Sequence, residues 1–220
     1  AARPDLRVMV ITGTGRYFSA GLDMKLGHGG RIPGPGAPGM EYRRGYRAHH
    51  RLYDEIEAIE KPVVLAANGP CLGAGMEMAL SCDFRFCTPD CHWGLPEIRS
   101  MGAIPGSGGI SRLTRLTGTH WAKWIALAGQ NVSALEAQRM GLVHAIHPAD
   151  ELSDRVRAFA DELIALDPEV VALAKLTIDM CDPQDRETAR NIERIANTDL
   201  SHHEHGRPAT DYAGPRREQV

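Results

Sequence analysis

Two β-branched runs, "LRVMVITG" (Leu6 to Gly13) and "KPVVLAANG" (Lys61 to Gly69), each lead straight into a glycine turn. Short apolar runs closed by a turn signal read as buried strands. Pro62 stands at the entrance of the second, where a missing N–H is tolerated. Between them, "EYRRGYRAHHRLYDEIEAIEK" has a helical period: Tyr42, Tyr46, His49, Tyr53 and Ile56 share one face, and Arg43, Arg47 and Arg51 share another. Strand, loop and helix alternate, so the chain reads as α/β. "GHGGRIPGPGAPG" (Gly27 to Gly39) is too rich in Gly and Pro for regular structure and reads as a long surface loop, the kind that borders sites.

From Ser133 onward the strand signal fades. "SALE" forms a capping box from Ser133 to Glu136, with Gly141 as the helix stop. Leu152, Val156, Phe159 and Leu163 recur at helical spacing. Asp167 followed by Pro168 is an N-cap with proline at the first helical position. The reading is a core over residues 1–132 and a helical segment over residues 133–220, with no internal repeat.

The 220 residues, 43% hydrophobic, are enough to bury a core. Lys+Arg 25 against Asp+Glu 28 gives a net charge of −3, too balanced for a surface that coats nucleic acid or membrane, so a small-molecule partner is expected. Five cysteines, no C-x-x-C pair and no secretory segment point to reduced thiols and a cytoplasmic location. No apolar run approaches the about 20 residues of a membrane span. Ala1 in place of Met, followed at once by a strand, suggests that the natural beginning lies upstream.

Several motifs fail on spacing. "ITGTGRYFSAG" has Phe18 where a dinucleotide fingerprint needs glycine, and "GSGG" around Ser107 is not a hydrolase elbow. Cys82, Cys87, Cys91 and His92 lack the paired knuckle of a zinc site and read as small buried hydrophobes, so no metal is expected. "SHHEHG" reads as a solvated tract. Tyrosine stacking and arginine–phosphate pairing over residues 42–53 would suit nucleic acid, but a core-facing tyrosine stripe and a solvated arginine face explain the pattern without it.

"GPCLGAGMEMALSCD" (residues 69–83) survives this test. Its glycines let backbone approach a ligand, and the helix start after Gly73 leaves N–H groups free to hold an oxyanion. Glu77 lies beside that end, where taken alone it is explained equally well as a surface complement to the helix dipole. A second carboxylate, Glu97, follows one short strand and turn later, and the turn in "SAGLD" could offer another free N–H. Two donors and two acids make a mechanism.

Together "YFSAGLD", "KPVVLAANGPCLGAGMEMALSCDFR" and "WGLPEIRSMGAIPGSGGISRLTRLTG", in that order, resemble the enoyl-CoA hydratase/isomerase (crotonase) family. The resemblance implies a crotonase-like spiral of ββα units with a C-terminal helical, oligomerising segment. It implies assembly as a homotrimer or dimer of trimers, and an acyl-CoA thioester substrate. Coenzyme A would enter with that substrate, and no separate cofactor is implied. The backbone N–H groups of Leu22 and Ala74 would form the oxyanion hole. Glu77 and Glu97 would be catalytic, and Ala20, Gly21, Asp23, Met24, Lys25 and Gly73 would contact substrate or CoA.

The implied reaction is reversible addition of water to the α,β-double bond of an enoyl-CoA, with Glu77 positioning water as base and Glu97 supplying the α-proton. Two close carboxyls resist joint ionisation, which keeps one protonated. Enoyl-CoA isomerisation and C–C hydrolysis on the same scaffold stay open, as does an RNA-binding or scaffold role. Two departures from the family pattern stand out. The chain starts after the usual upstream strand and helix, and "SHHEHGRPATDYAGPRREQV" lacks the usual apolar and basic ending that would support CoA contacts by Arg216 or Arg217.

Overall fold

The computed structural model describes residues 3, 5–23 and 38–202, without the side chains of residues 38–46, 48, 201 and 202. Met24, Lys25, most of the Gly27–Gly39 stretch, Arg216 and Arg217 lie outside the described residues, as do the side chains of Met40, Tyr42 and Tyr46. The chain forms two compact units, residues 1–164 and 165–220.

In the first unit, β1 (Met9–Thr12), β2 (Val63–Ala67), β4 (Phe84–Cys87) and β7 (Ala145–Ile146) form one sheet, all neighbours parallel. A second, smaller sheet joins β3 (Cys71–Leu72), β5 (His92–Gly94) and β6 (Val132–Ser133), with β3 parallel to β5 and β6 antiparallel to it. Parallel strands need crossovers, and the helices supply them. These are α1 (Pro38–Ala58), α2 (Ala74–Ala79), α3 (Glu97–Met101), α4 (Gly109–Ala122) and α5 (Ala134–Arg139), with a π-helical turn at Lys123–Leu127 after α4; α6 (Leu152–Ile164) follows the last strand.

Every residue of β2 is buried, as its unbroken apolar run predicts for a central parallel strand. One side of β2 meets Tyr53 and Ile56 of α1, Met76 of α2, Trp93 and Leu113 in the main core. Its other side, at Val64 and Ala66, packs with Phe86, Leu152 and Val156. Tyr53 and Ile56 thus face inward, as the period of α1 predicts. β1 differs from the expected buried strand. It is an edge among the described residues and leaves Val10 45% exposed.

Ser133 caps α5 with the reciprocal Glu136 contact of a capping box. The stretch beyond Ser133 is not purely helical, however. β7 pairs Ala145 and Ile146 with Phe86 and Cys87 of β4. Two residues carry no periodicity, so only the tertiary pairing reveals this strand.

The second unit contains α7 (Pro168–Cys181) and α8 (Arg186–His202). Asp167 caps α7 by accepting from the N–H groups of Glu169 and Val170, and Pro168 takes the first helical position. No helix among the described residues is long and apolar enough to cross a membrane.

Candidate active site

Three extended segments run side by side and deliver the candidate residues to one place. Ser19 bridges Cys71 in parallel fashion, and Leu72 N–H donates to Ser19 C=O at 2.9 Å. Leu72 aligns with Gly94 of β5, and Gly73 N–H donates to Gly94 C=O at 2.9 Å. The turns that follow, at residues 20–23 and 73–74, are therefore neighbours. Glu97, three residues beyond Gly94, opens α3 beside them.

The close approach depends on glycine. Gly73 has φ 55 and ψ −131, a backbone conformation hostile to side chains. A Cβ there would stand 3.1 Å from Glu97 Oε1 and 3.5 Å from Gly21 Cα. A Cβ on Gly21 would stand 3.5 Å from the Ala74 nitrogen. Gly73 is buried, Ala74, Gly21 and Leu22 are half-buried, and Ala20 and Asp23 are exposed. Among the described residues, neither Leu22 N–H nor Ala74 N–H has a hydrogen-bond partner. The Ala74 carbonyl is fixed from behind by the Tyr53 hydroxyl, which donates to it at 3.0 Å. Burial, and next the Glu77 charge, push the Tyr53 phenol up to about 12, so it remains a donor at neutral pH.

The two glutamates sit in opposite surroundings. Glu77, on α2, is 3% exposed, and its Oε1 accepts from Ser107 N–H at 2.8 Å and from Gly109 N–H at 3.1 Å. Gly109 is the first residue of α4, so the carboxylate occupies the positive end of that helix. Glu97 is 7% exposed, and its Oε2 is buried with no partner among the described residues. Burial, reinforced by the Glu77 carboxylate, raises the Glu97 carboxyl above its ordinary range. One acid is solvated by amides and the other is driven toward its neutral form.

A polar stripe on α1 supports the site. His50, Tyr53, Asp54 and Glu57 follow helical spacing. His50 Nε2 bonds the Gly106 carbonyl, while Asp54 and Glu57 accept from Arg112 Nη2 at 2.7 and 2.6 Å. Arg112 is 4% exposed, and its Nη1 donates to Ser107 C=O at 3.2 Å. Burial alone would lower the Arg112 guanidinium, but Glu57 and Asp54 outweigh it and raise it.

Cys71, Cys82, Cys87 and Cys91 are buried free thiols, with Cys91 Sγ donating to Gly69 C=O at 3.0 Å. Among the described residues no cluster of three or more His, Cys, Asp or Glu side chains is arranged to hold a metal ion.

Comparison with known proteins fits this arrangement. Residues 1–216 match the family model described as enoyl-CoA hydratase/isomerase. The chain belongs to the enoyl-CoA hydratase/isomerase family. Carnitinyl-CoA dehydratase from Salmonella paratyphi A is 36% identical over 177 residues, which cover 78% of this chain and 63% of that protein. The chain thus spans under two thirds of the length of the curated relatives it matches. The enoyl-CoA hydratase structure from Bacillus anthracis superposes with a TM-score of 0.84 at 31% identity, covering 92% of this chain and 76% of that one. A Thermobifida fusca YX structure, described as an enoyl-CoA hydratase in complex with CoA, superposes with a TM-score of 0.80 at 25% identity, covering 89% and 76%. The crotonase-like α/β fold implied by the motifs is the fold of these relatives.

The structure brings together Ala20, Gly21, Leu22, Asp23, Gly73, Ala74, Glu77 and Glu97; Met24 and Lys25 fall outside the described residues. Two strands, β4 and β5, rather than one separate Glu77 from Glu97. Sequence reasoning missed the Ser107 and Gly109 amides that hold Glu77, Arg112, which bonds the Ser107 carbonyl, and the contacts of His50, Tyr53, Asp54 and Glu57. A signal existed: "PGSGG" before an amphipathic helix marks a turn with free amides, and in this family chain those amides face an acid.

Proposed function

We propose that this chain catalyses reversible addition of water to the α,β-double bond of an enoyl-CoA thioester. The observation that carries the reading is the contrast between Glu77, bonded to two amides, and Glu97, whose buried Oε2 has no partner among the described residues, beside two neighbouring turns whose Leu22 and Ala74 amides have none there either.

The N–H groups of Leu22 and Ala74 donate to the thioester carbonyl oxygen. As water attacks, charge develops on that oxygen, and preorganised amides stabilise it most in the transition state. Glu77, with one oxygen committed to the Ser107 and Gly109 amides, uses the other to take a proton from water. The hydroxide oxygen bonds to Cβ, the C=C π pair moves toward Cα, and Cα takes the proton of Glu97. Return of a proton from Glu77 to Glu97 closes the cycle. Carnitinyl-CoA dehydratase names removal of water from an acyl-CoA, the reverse direction of the same addition. The Thermobifida fusca structure in complex with CoA supports a CoA-bearing substrate.

The test is a panel of enoyl-CoA thioesters, following loss of the conjugated double bond. Glu77→Gln and Glu97→Gln each lose most turnover while remaining folded. Full hydration by either variant sinks the paired-acid mechanism. Deuterium entering the acyl chain from D2O without water addition favours isomerisation instead.

A further inference from the structure

We propose that Arg112, clamped by Asp54 and Glu57 of α1, is a positioning residue that sets the Glu77 carboxylate by holding the 106–109 turn. The inference rests on the reading of Glu77 as the base.

The chain of contacts is continuous. Arg112 Nη2 bonds Asp54 and Glu57, fixing the guanidinium against α1. Nη1 of the same guanidinium bonds Ser107 C=O, and Ser107 N–H bonds Glu77 Oε1. His50 of the same α1 stripe bonds the adjoining Gly106 carbonyl. The turn is therefore gripped from outside by its carbonyls, and its amides point inward at the acid. Space is tight as well: a Cβ on Gly109 would lie 2.7 Å from Glu77 Cγ, so a small movement of the turn moves the carboxylate. A cation pressed directly on Glu77 would compete with its role as base. Routing the cation through a backbone turn fixes the carboxylate without an ion pair to it.

Arg112 is buried, so the test must separate its positioning role from simple destabilisation. Arg112→Gln, Arg112→Lys and Glu57→Gln are assayed with crotonyl-CoA, alone and in a Glu77→Gln background, with thermal unfolding recorded for each. Displacement of a reacting group by about 1 Å costs up to roughly 100-fold in rate. Arg112→Gln therefore loses on the order of 10- to 100-fold in kcat with KM unchanged. Arg112→Lys, which keeps the charge, recovers part of that loss. In the Glu77→Gln background neither substitution costs anything more, because the group being positioned is gone. An equal loss in both backgrounds, or a change confined to KM, overturns the proposal. If Arg112→Gln does not fold, Glu57→Gln carries the same comparison.

A crystal structure of Glu57→Gln or Arg112→Lys supplies an arm independent of turnover. The Ser107 N to Glu77 Oε1 contact, 2.8 Å here, lengthens or breaks if the proposal holds. An unchanged contact refutes it. If the wild-type chain hydrates no enoyl-CoA at all, the proposed function fails while this structural arm still decides the role of Arg112.

Discussion

Replacing Gly73 by alanine tests whether the backbone at the site is shaped for function. At φ 55 and ψ −131 a side chain is strained, which costs about 1–3 kcal/mol. The added Cβ would stand 3.1 Å from Glu97 Oε1, closer than ordinary van der Waals contact, so either the turn or Glu97 must shift. For a chain of this size each kcal/mol lowers the unfolding midpoint by about 2–4 °C, giving roughly 2–12 °C in all. A shift of the turn displaces Ala74 N–H, and loss of one oxyanion donor costs about 100- to 1000-fold in kcat. Gly141→Ala is the control. Gly141 also has positive φ, at 81, but a Cβ there would meet nothing within 4 Å. It should lose comparable stability by differential scanning calorimetry and keep its kcat for crotonyl-CoA. Full turnover by Gly73→Ala, or equal loss of turnover by Gly141→Ala, would refute the assignment of Ala74 as a carbonyl-binding amide.

Because burial raises the Glu97 carboxyl in the fold, its favourable contribution is complete below the unfolded value near 4.5 and is lost as pH rises through the folded value. Glu97→Gln removes that loss, so urea midpoints of the variant gain on wild type from acid to neutral pH; a constant gap contradicts the burial account. Tyr53, raised from 10.0 to about 12, contributes stability that is complete below pH 10 and fades toward pH 12. An absorbance titration against Tyr53→Phe should show no phenolate from this residue at pH 10, and one ionising there would mean that the hydroxyl is solvated. Arg85, buried, donates to the carbonyls of Leu142, Ala79 and Cys82. Arg85→Met removes these buried donations and costs at least about 2 kcal/mol in urea unfolding, whereas an unchanged midpoint would show that water replaces the guanidinium.

The parts of this architecture that were readable in the sequence are those governed by local chemistry. β2 is apolar throughout because both its faces are buried. Ser133–Glu136 and Asp167–Pro168 follow capping rules that involve only neighbours. Glu77 drew notice as an acid beside a glycine turn and Glu97 as a second carboxylate downstream, and the family resemblance supplied the roles expected of both. What was hidden is non-local. β7 exists because β4 has a free edge for it, and its two residues carry no period. The polar stripe of α1 was masked by a simpler pattern: Tyr53 and Ile56 account for the helical face, and nothing nearby tells His50, Asp54 or Glu57 what they will meet 55 to 58 residues away. Ser107 and Gly109 act through backbone amides, which every residue possesses, so their contribution depends on the turn and not on their side chains.

The position of the thioester oxygen in the bound substrate decides whether Leu22 and Ala74 form an oxyanion hole. A crystal structure with an unreactive acyl-CoA thioester should place that oxygen about 2.7–3.1 Å from the nitrogens of both Leu22 and Ala74, with the carboxyls of Glu77 and Glu97 facing Cα and Cβ of the acyl chain. A thioester bound with its oxygen away from both amides, or with either glutamate turned from the acyl chain, would contradict this arrangement.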